Sequence, residues 1–118
     1  MANYLLVYYG GTPESDPQKV GKVMEAWVKW FQELGQAVID PGAPTIPGKT
    51  ITDTGIIDGI NGEHITGYTI LKARSMESAA AMAKNSPILK DGGRVSIYEI
   101  IPTSTRKEPA LAGKSSTS

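Results

Sequence analysis

Apolar positions along the chain change period several times, and each change marks an element. Residues 3–9 are aromatic or branched almost throughout and stop at Gly10-Gly11-Thr12-Pro13. That content with that stop predicts a strand. Leu5, Val7 and Tyr9 fall on one of its faces, and Tyr4, Leu6 and Tyr8 on the other. A strand apolar on both faces is expected to be covered on both. At Asp16-Pro17 the period becomes helical. The Asp16 carboxylate suits an N-cap, because it can accept a free amide of the first turn, and proline loses nothing at the first helical position. Val20, Val23, Met24, Trp27, Phe31 and Leu34 then form one stripe about 100° wide. Trp30 flanks the stripe on one side and Val28 on the other, and Gly35 ends the helix.

Residues 36–40 predict a short second strand centred on Ala37, Val38 and Ile39 and closed by Pro41-Gly42. Residues 41–63 are rich in proline and glycine and alternate only weakly, at Thr50, Ile51 and Thr52 and at Ile56 and Ile57. They admit a short hairpin arm, with Asn61-Gly62 as its tight turn. Residues 64–74 form the third main strand. Ser75 can cap a second helix, and Glu77 is placed to meet the positive end of its dipole. Met76, Ala79, Ala80 and Ala83 give that helix a thin apolar stripe, and Pro87 ends it. Asp91-Gly92-Gly93 turns into a last strand over residues 95–101. There Val95, Ile97 and Ile101 share a face with Glu99, while Ser96, Tyr98 and Ile100 share the other. From Thr103 onward there is almost nothing apolar to bury. The organisation is therefore one domain over residues 1–102 and a flexible tail, or an arm that orders against a partner, over residues 103–118.

The element order β-α-β-β-α-β predicts an α+β ferredoxin-like fold, with an antiparallel sheet and both helices on one face. The second face would be polar if it met water. It cannot be fully polar here, since the first strand is apolar on both sides and the last offers Tyr98 and Ile100. Two copies packing sheet to sheet, as a dimeric α+β barrel, resolve the conflict.

Composition narrows the function classes. The chain has 118 residues, with 40% hydrophobic and 20% charged, which is one ordinary globular domain. A net charge of zero lacks the electrostatic footprint of a nucleic-acid or anionic-membrane binder. With no cysteine, disulfides, thiolate metal sites and a cysteine nucleophile are excluded, and a reducing cytoplasm is the expected compartment. The first apolar run has no basic leader and is too short to span a membrane.

Few residues offer chemistry. His64 is the only histidine, with Glu63 and Asp58 close by, and it can serve as a base or ligand at a cleft mouth. The plainer reading is a solvated residue at a strand start, because neighbours on a strand point to opposite faces. One histidine alone makes a poor transition-metal site. Asp53, Asp58, Asn61 and Glu63 do not have the spacing of a calcium loop. Gly10-Gly11 and Gly92-Gly93 lack phosphate-loop spacing, and no nucleophile elbow is present. No metal and no cofactor are expected. Trp27, Trp30 and Phe31 can wall an aromatic pocket with Tyr8, Tyr9 or Tyr68, but Trp27 and Phe31 sit in the middle of the core stripe. Trp30, at its edge, is the better ligand contact. Asp40 either faces such a cleft or begins the turn at Pro41. The candidate small-molecule cleft is thus Trp30, Asp40, His64 and Tyr68.

Several segments in order resemble a known family. They are Tyr4-Leu5-Leu6-Val7-Tyr8-Tyr9-Gly10-Gly11, Met24 to Trp30 with Leu34-Gly35, Asp40-Pro41-Gly42-Ala43-Pro44, residues 67–73, and Pro87-Ile88-Leu89 with Gly92-Gly93. Over roughly residues 3–101 the chain resembles the YCII-related proteins, in the branch that includes DGPF-domain proteins. The resemblance implies a dimeric ferredoxin-like fold and leaves the activity open. One branch of the family is proposed to use a His–Asp pair, with the His in the first helix and the Asp before a proline after the second. Here Met24 stands near the first position and Ser86-Pro87 at the second, so that pair does not carry over. The expected function is a small homodimeric domain with a small-molecule cleft and no catalytic motif. The alternatives are a small enzyme acting on a compact organic acid or carbonyl compound, with His64 or Asp40 as base, and a subunit that binds another protein through residues 41–63 and the tail.

Overall fold

The computed structural model describes residues 1–11 and 16–103, and residues 104–118, the expected tail, lie outside the described residues. The elements run β1 (Ala2–Tyr9), α1 (Pro17–Leu34), β2 (Val38–Asp40), β3 (Lys49–Thr52), β4 (Gly55–Asp58), β5 (Gly67–Ala73), α2 (Met76–Ala83) and β6 (Arg94–Ile100). Short 3-10 turns at Gly35–Ala37 and Pro87–Leu89 follow the two helices. The main sheet has the order β2-β5-β1-β6, and its neighbours are antiparallel. Each helical crossing therefore skips one strand: β1-α1-β2 passes over β5, and β5-α2-β6 passes over β1. These two interleaved βαβ units make the α+β ferredoxin-like fold.

The local signals act as expected at the helix ends. The Asp16 carboxylate accepts the Gln18 amide at 3.0 Å, with Pro17 opening α1. Ser75 Oγ accepts the Ser78 amide at 3.1 Å, with Glu77 in the first turn of α2. Gly35, at φ 57°, stops α1 and donates its amide to the Phe31 carbonyl. Tyr4, Leu6 and Tyr8 of β1 and Leu71 and Ala73 of β5 meet Ala79 and Ala83 of α2 in the core.

The roll of α1 differs from the stripe read in the sequence. Trp30, placed there at the edge, is 3% exposed, whereas Val20, Met24 and Val28 are 37%, 59% and 50% exposed. The thin alanine helix leaves space beside it, and the indole is the largest side chain α1 has to fill that space. Trp30 Nε1–H donates to the Met82 carbonyl at 3.2 Å, which satisfies the group that burial would otherwise penalise. Trp27 stands edge-on to Tyr8, with ring centroids 5.1 Å apart.

Residues 41–63 do contain a hairpin arm, formed by β3 and β4, but its turn is Asp53-Thr54 rather than Asn61-Gly62. Thr52 Oγ1 accepts the Thr54 amide at 3.3 Å and lies 3.0 Å from Thr54 Oγ1, so the side chain closes the turn. Lys49 pairs with Asp58 at the arm's base. Ile51, Ile56 and Ile57 are 73%, 67% and 53% exposed. A two-stranded ribbon alone is marginally stable in water, so this apolar arm calls for cover.

One buried polar chain ties the sheet to the bend after β2. Tyr8 Oη donates to Thr69 Oγ1 at 2.6 Å, and Thr69 Oγ1 donates to the Pro41 carbonyl at 3.0 Å. Burial pushes the Tyr8 phenol up to about 12. An unfolded tyrosine titrates near 10, so the folded chain keeps this proton where the unfolded chain has lost it. The stabilisation is complete below about pH 10 and is lost as the pH rises to about 12. That gap corresponds to roughly 2–3 kcal/mol. Tyr8→Phe should cost about 1 kcal/mol at neutral pH and flatten the alkaline fall in urea midpoints. An equally steep fall in the variant would assign the effect to other groups.

Candidate functional site

A groove of about 300 Å³ lies where the arm leaves the sheet. Ile46, Pro47, Ile60 and Ile65 contribute apolar walls, and Glu63 and His64 contribute ionisable groups. Backbone bonds hold its two sides together. Thr45 donates its amide to the Thr66 carbonyl at 3.0 Å and its hydroxyl to the Ile65 carbonyl at 3.1 Å. Further along, the Gly59 amide donates to the Gly48 carbonyl at 2.8 Å. These bonds fix the backbone of the lining, while Ile46 and Ile60 stay 89% and 41% exposed, so the groove is open to water and its size is at the lower end for small-molecule sites.

A charged and phenolic cluster adjoins the groove. Arg94 opens β6 opposite Tyr9, the last residue of β1. Its guanidinium carbon lies 4.5 Å from the Tyr9 ring centroid, a cation–π arrangement, and Nη2 donates to Glu63 Oε1. That hydrogen bond is the main reason the Glu63 carboxyl sits below its usual range, and the charges of Arg94 and His64 add to it. The Tyr9 phenol is pushed up, first by burial and then by its neighbour Tyr98. His64 is exposed and makes no hydrogen bond among the described residues.

The four candidate residues do not converge on one cleft. His64 lines the groove. Asp40 accepts the Gly42 amide on Oδ1 at 2.8 Å, so it serves the turn at Pro41. Tyr68 pairs with Val7 and alternates with the buried Gly67 and Thr69, which puts it on the sheet face away from the helices. Asp40 and Tyr68 therefore come from neighbouring strands, with Asp40 opposite Ile70. Trp30 belongs to the core on the opposite face. Sequence reasoning missed Arg94. The signal for it was the ferredoxin-like order, which sets the start of the last strand beside the end of the first.

At the two positions where the resemblance implies a His–Asp pair, Met24 is 59% exposed and Ser86 is 2% exposed. Ser86 Oγ donates to the Ala83 carbonyl at 2.7 Å, so its hydroxyl closes the end of α2. Among the described residues, no group of three or more His, Cys, Asp or Glu side chains is placed to hold a metal ion, and no helix is long and apolar enough to cross a membrane.

No family model matches the chain, and no curated protein matches it. Among solved structures it is similar to a 5-chloro-2-hydroxyhydroquinone dehydrochlorinase from Burkholderia phenoliruptrix AC1100 in complex with 2,5-dihydroxybenzoquinone. The TM-score is 0.49 and the identity 22%, over 80% of this chain and 90% of that one.

Proposed function

We propose that the chain is a homodimeric small-molecule-binding domain that holds a compact, largely apolar ligand in the groove at the base of the arm. The groove carries the reading, because its walls are apolar and its ionisable groups are confined to Glu63 and His64. Titrating a methyl-labelled sample with benzamide should shift Ile46, Ile60 and Ile65 ahead of Ile51 and Ile56 near the arm's tip. Equal shifts at all five would overturn the groove as the site. The order of sequence motifs supports a place beside the YCII-related and DGPF-domain proteins, and the cysteine-free composition supports a cytoplasmic location.

The dimer reading is supported by the sheet face turned away from the helices. By strand alternation it carries Leu5, Val7 and Tyr9 of β1, Tyr68 and Ile70 of β5, and Tyr98 and Ile100 of β6. Three strands of seven or eight residues and the three-residue β2 cover roughly 380 Å², so two such faces meet over about 750 Å² of flat area. Stable interfaces begin near about 1,200 Å² of accessible surface, and the exposed isoleucines of the arm supply apolar area toward it. Ile70→Lys, at the middle of the face, should give a folded monomer in sedimentation at tens of micromolar. Ile51→Ser with Ile56→Ser should weaken the dimer about tenfold. A monomeric parent protein at that concentration would overturn the reading.

A second reading, a small enzyme acting on a compact organic acid or carbonyl compound, is favoured by His64 lining the groove beside Glu63. A turnover screen over small acids and carbonyl compounds, with His64→Ala as control, separates it from binding alone.

A further inference from the structure

The groove and the Arg94 cluster share one residue. Glu63 lines the groove and at the same time occupies the Arg94 guanidinium. In the single chain the two side chains are 53% and 58% exposed, so outside any dimer contact this pair forms in a largely watery setting, where ion pairs contribute little. Arg94 itself is better fixed than the pair, because its guanidinium lies over the Tyr9 ring. A guanidinium stacked in this way still presents its donor edge, which matches the two oxygens of a carboxylate. His64 lines the groove next to Glu63.

We propose that the ligand of this groove is a compact monocarboxylate whose carboxylate replaces that of Glu63 on Arg94; this rests on the groove being the binding site. Glu63 acts as a built-in stand-in for the ligand. The exchange trades one carboxylate for another, so Arg94 is never left unpaired, and the displaced Glu63 side chain returns to water. The apolar body of the ligand then lies against Ile46, Pro47, Ile60 and Ile65. The groove's volume limits that body to about one ring or a short branched chain. A neutral ligand of the same shape gains the apolar contact and loses the exchange.

Benzoate and benzamide, titrated by calorimetry and by methyl shifts, test this with matched shapes. Benzoate should bind about tenfold tighter than benzamide, as a carboxylate–guanidinium fork implies. Glu63→Gln removes the internal competitor and should tighten benzoate about fivefold relative to benzamide. Arg94→Gln should abolish the preference, while Lys49→Gln, which removes an exposed cation from the arm, should leave it intact. Equal binding of the two probes at Ile46, Ile60 and Ile65 overturns the carboxylate inference and leaves the groove standing. No shift at those residues with either probe overturns both. A benzoate preference that survives Arg94→Gln also overturns it, since the carboxylate would then be held elsewhere.

Discussion

Replacing Gly42 by alanine is expected to destabilise the domain by about 3 kcal/mol or more, seen as a large drop in urea midpoint. Two independent costs combine there. Gly42 has φ 75°, in the left-handed region that disfavours a Cβ. A Cβ built on it would also stand 1.7 Å from the Tyr68 carbonyl oxygen and 2.6 Å from its carbon. Both contacts are backbone, so no side chain can rotate away. Relief requires parting the bend after β2 from β5, which breaks the hydrogen bonds that the Thr69 hydroxyl donates to the Pro41 carbonyl and the Tyr68 amide donates to the Ala43 carbonyl. Gly21 is the control. It lies inside α1 with nothing within 4 Å of a Cβ, so Gly21→Ala should stabilise by roughly 0.5–1 kcal/mol. A Gly42→Ala variant as stable as the parent would show that this bend adjusts freely.

Trp30→Ala is expected to cost about 3–5 kcal/mol, roughly a fifth or more of the stability of an ordinary domain. The loss has two parts, and a second variant separates them. Trp30→Phe keeps most of the volume against the alanine helix but leaves the Met82 carbonyl without its indole donor, and should cost about 1–3 kcal/mol. Trp27→Ala should cost less than Trp30→Ala, because Trp27 is only half-buried beside Tyr8. Denaturant melts of the three variants give the order directly. If Trp27→Ala proved the more damaging, the roll of α1 described above would be wrong.

These two residues mark where the sequence is legible and where it is not. Strands and helices differ in local period, so β1, α1, α2 and the ferredoxin-like order could be read along the chain. The caps at Asp16 and Ser75 are equally local. The roll of α1 is not, because Trp30 and Val28 flank the same stripe and only the surface opposite decides which side is buried. That surface is the small-residue face of α2, some fifty residues later. The arm follows the same rule. Asn61-Gly62 carries the stronger turn signal, yet the β3–β4 register and the Thr52 hydroxyl place the turn at Asp53-Thr54. At the site, His64 was visible as the single histidine. Arg94 became visible only through the register that sets it opposite Tyr9 and through its partner Glu63, thirty-one residues away.

The strand order also sets a schedule for the chain as it is made. β1 is synthesised first and is apolar on both faces, but both of its neighbours, β5 and β6, come late in the sequence. The hydrogen bond from Tyr8 to Thr69 closes a separation of 61 residues. Until β5 leaves the ribosome, β1 has no strand to pair with, and the sheet cannot close until β6 has followed. Loop closure of this length must precede any reward from pairing, which slows folding and lengthens the exposure of an aggregation-prone strand. The segment that anchors the finished sheet is thus the one the growing chain must protect for longest.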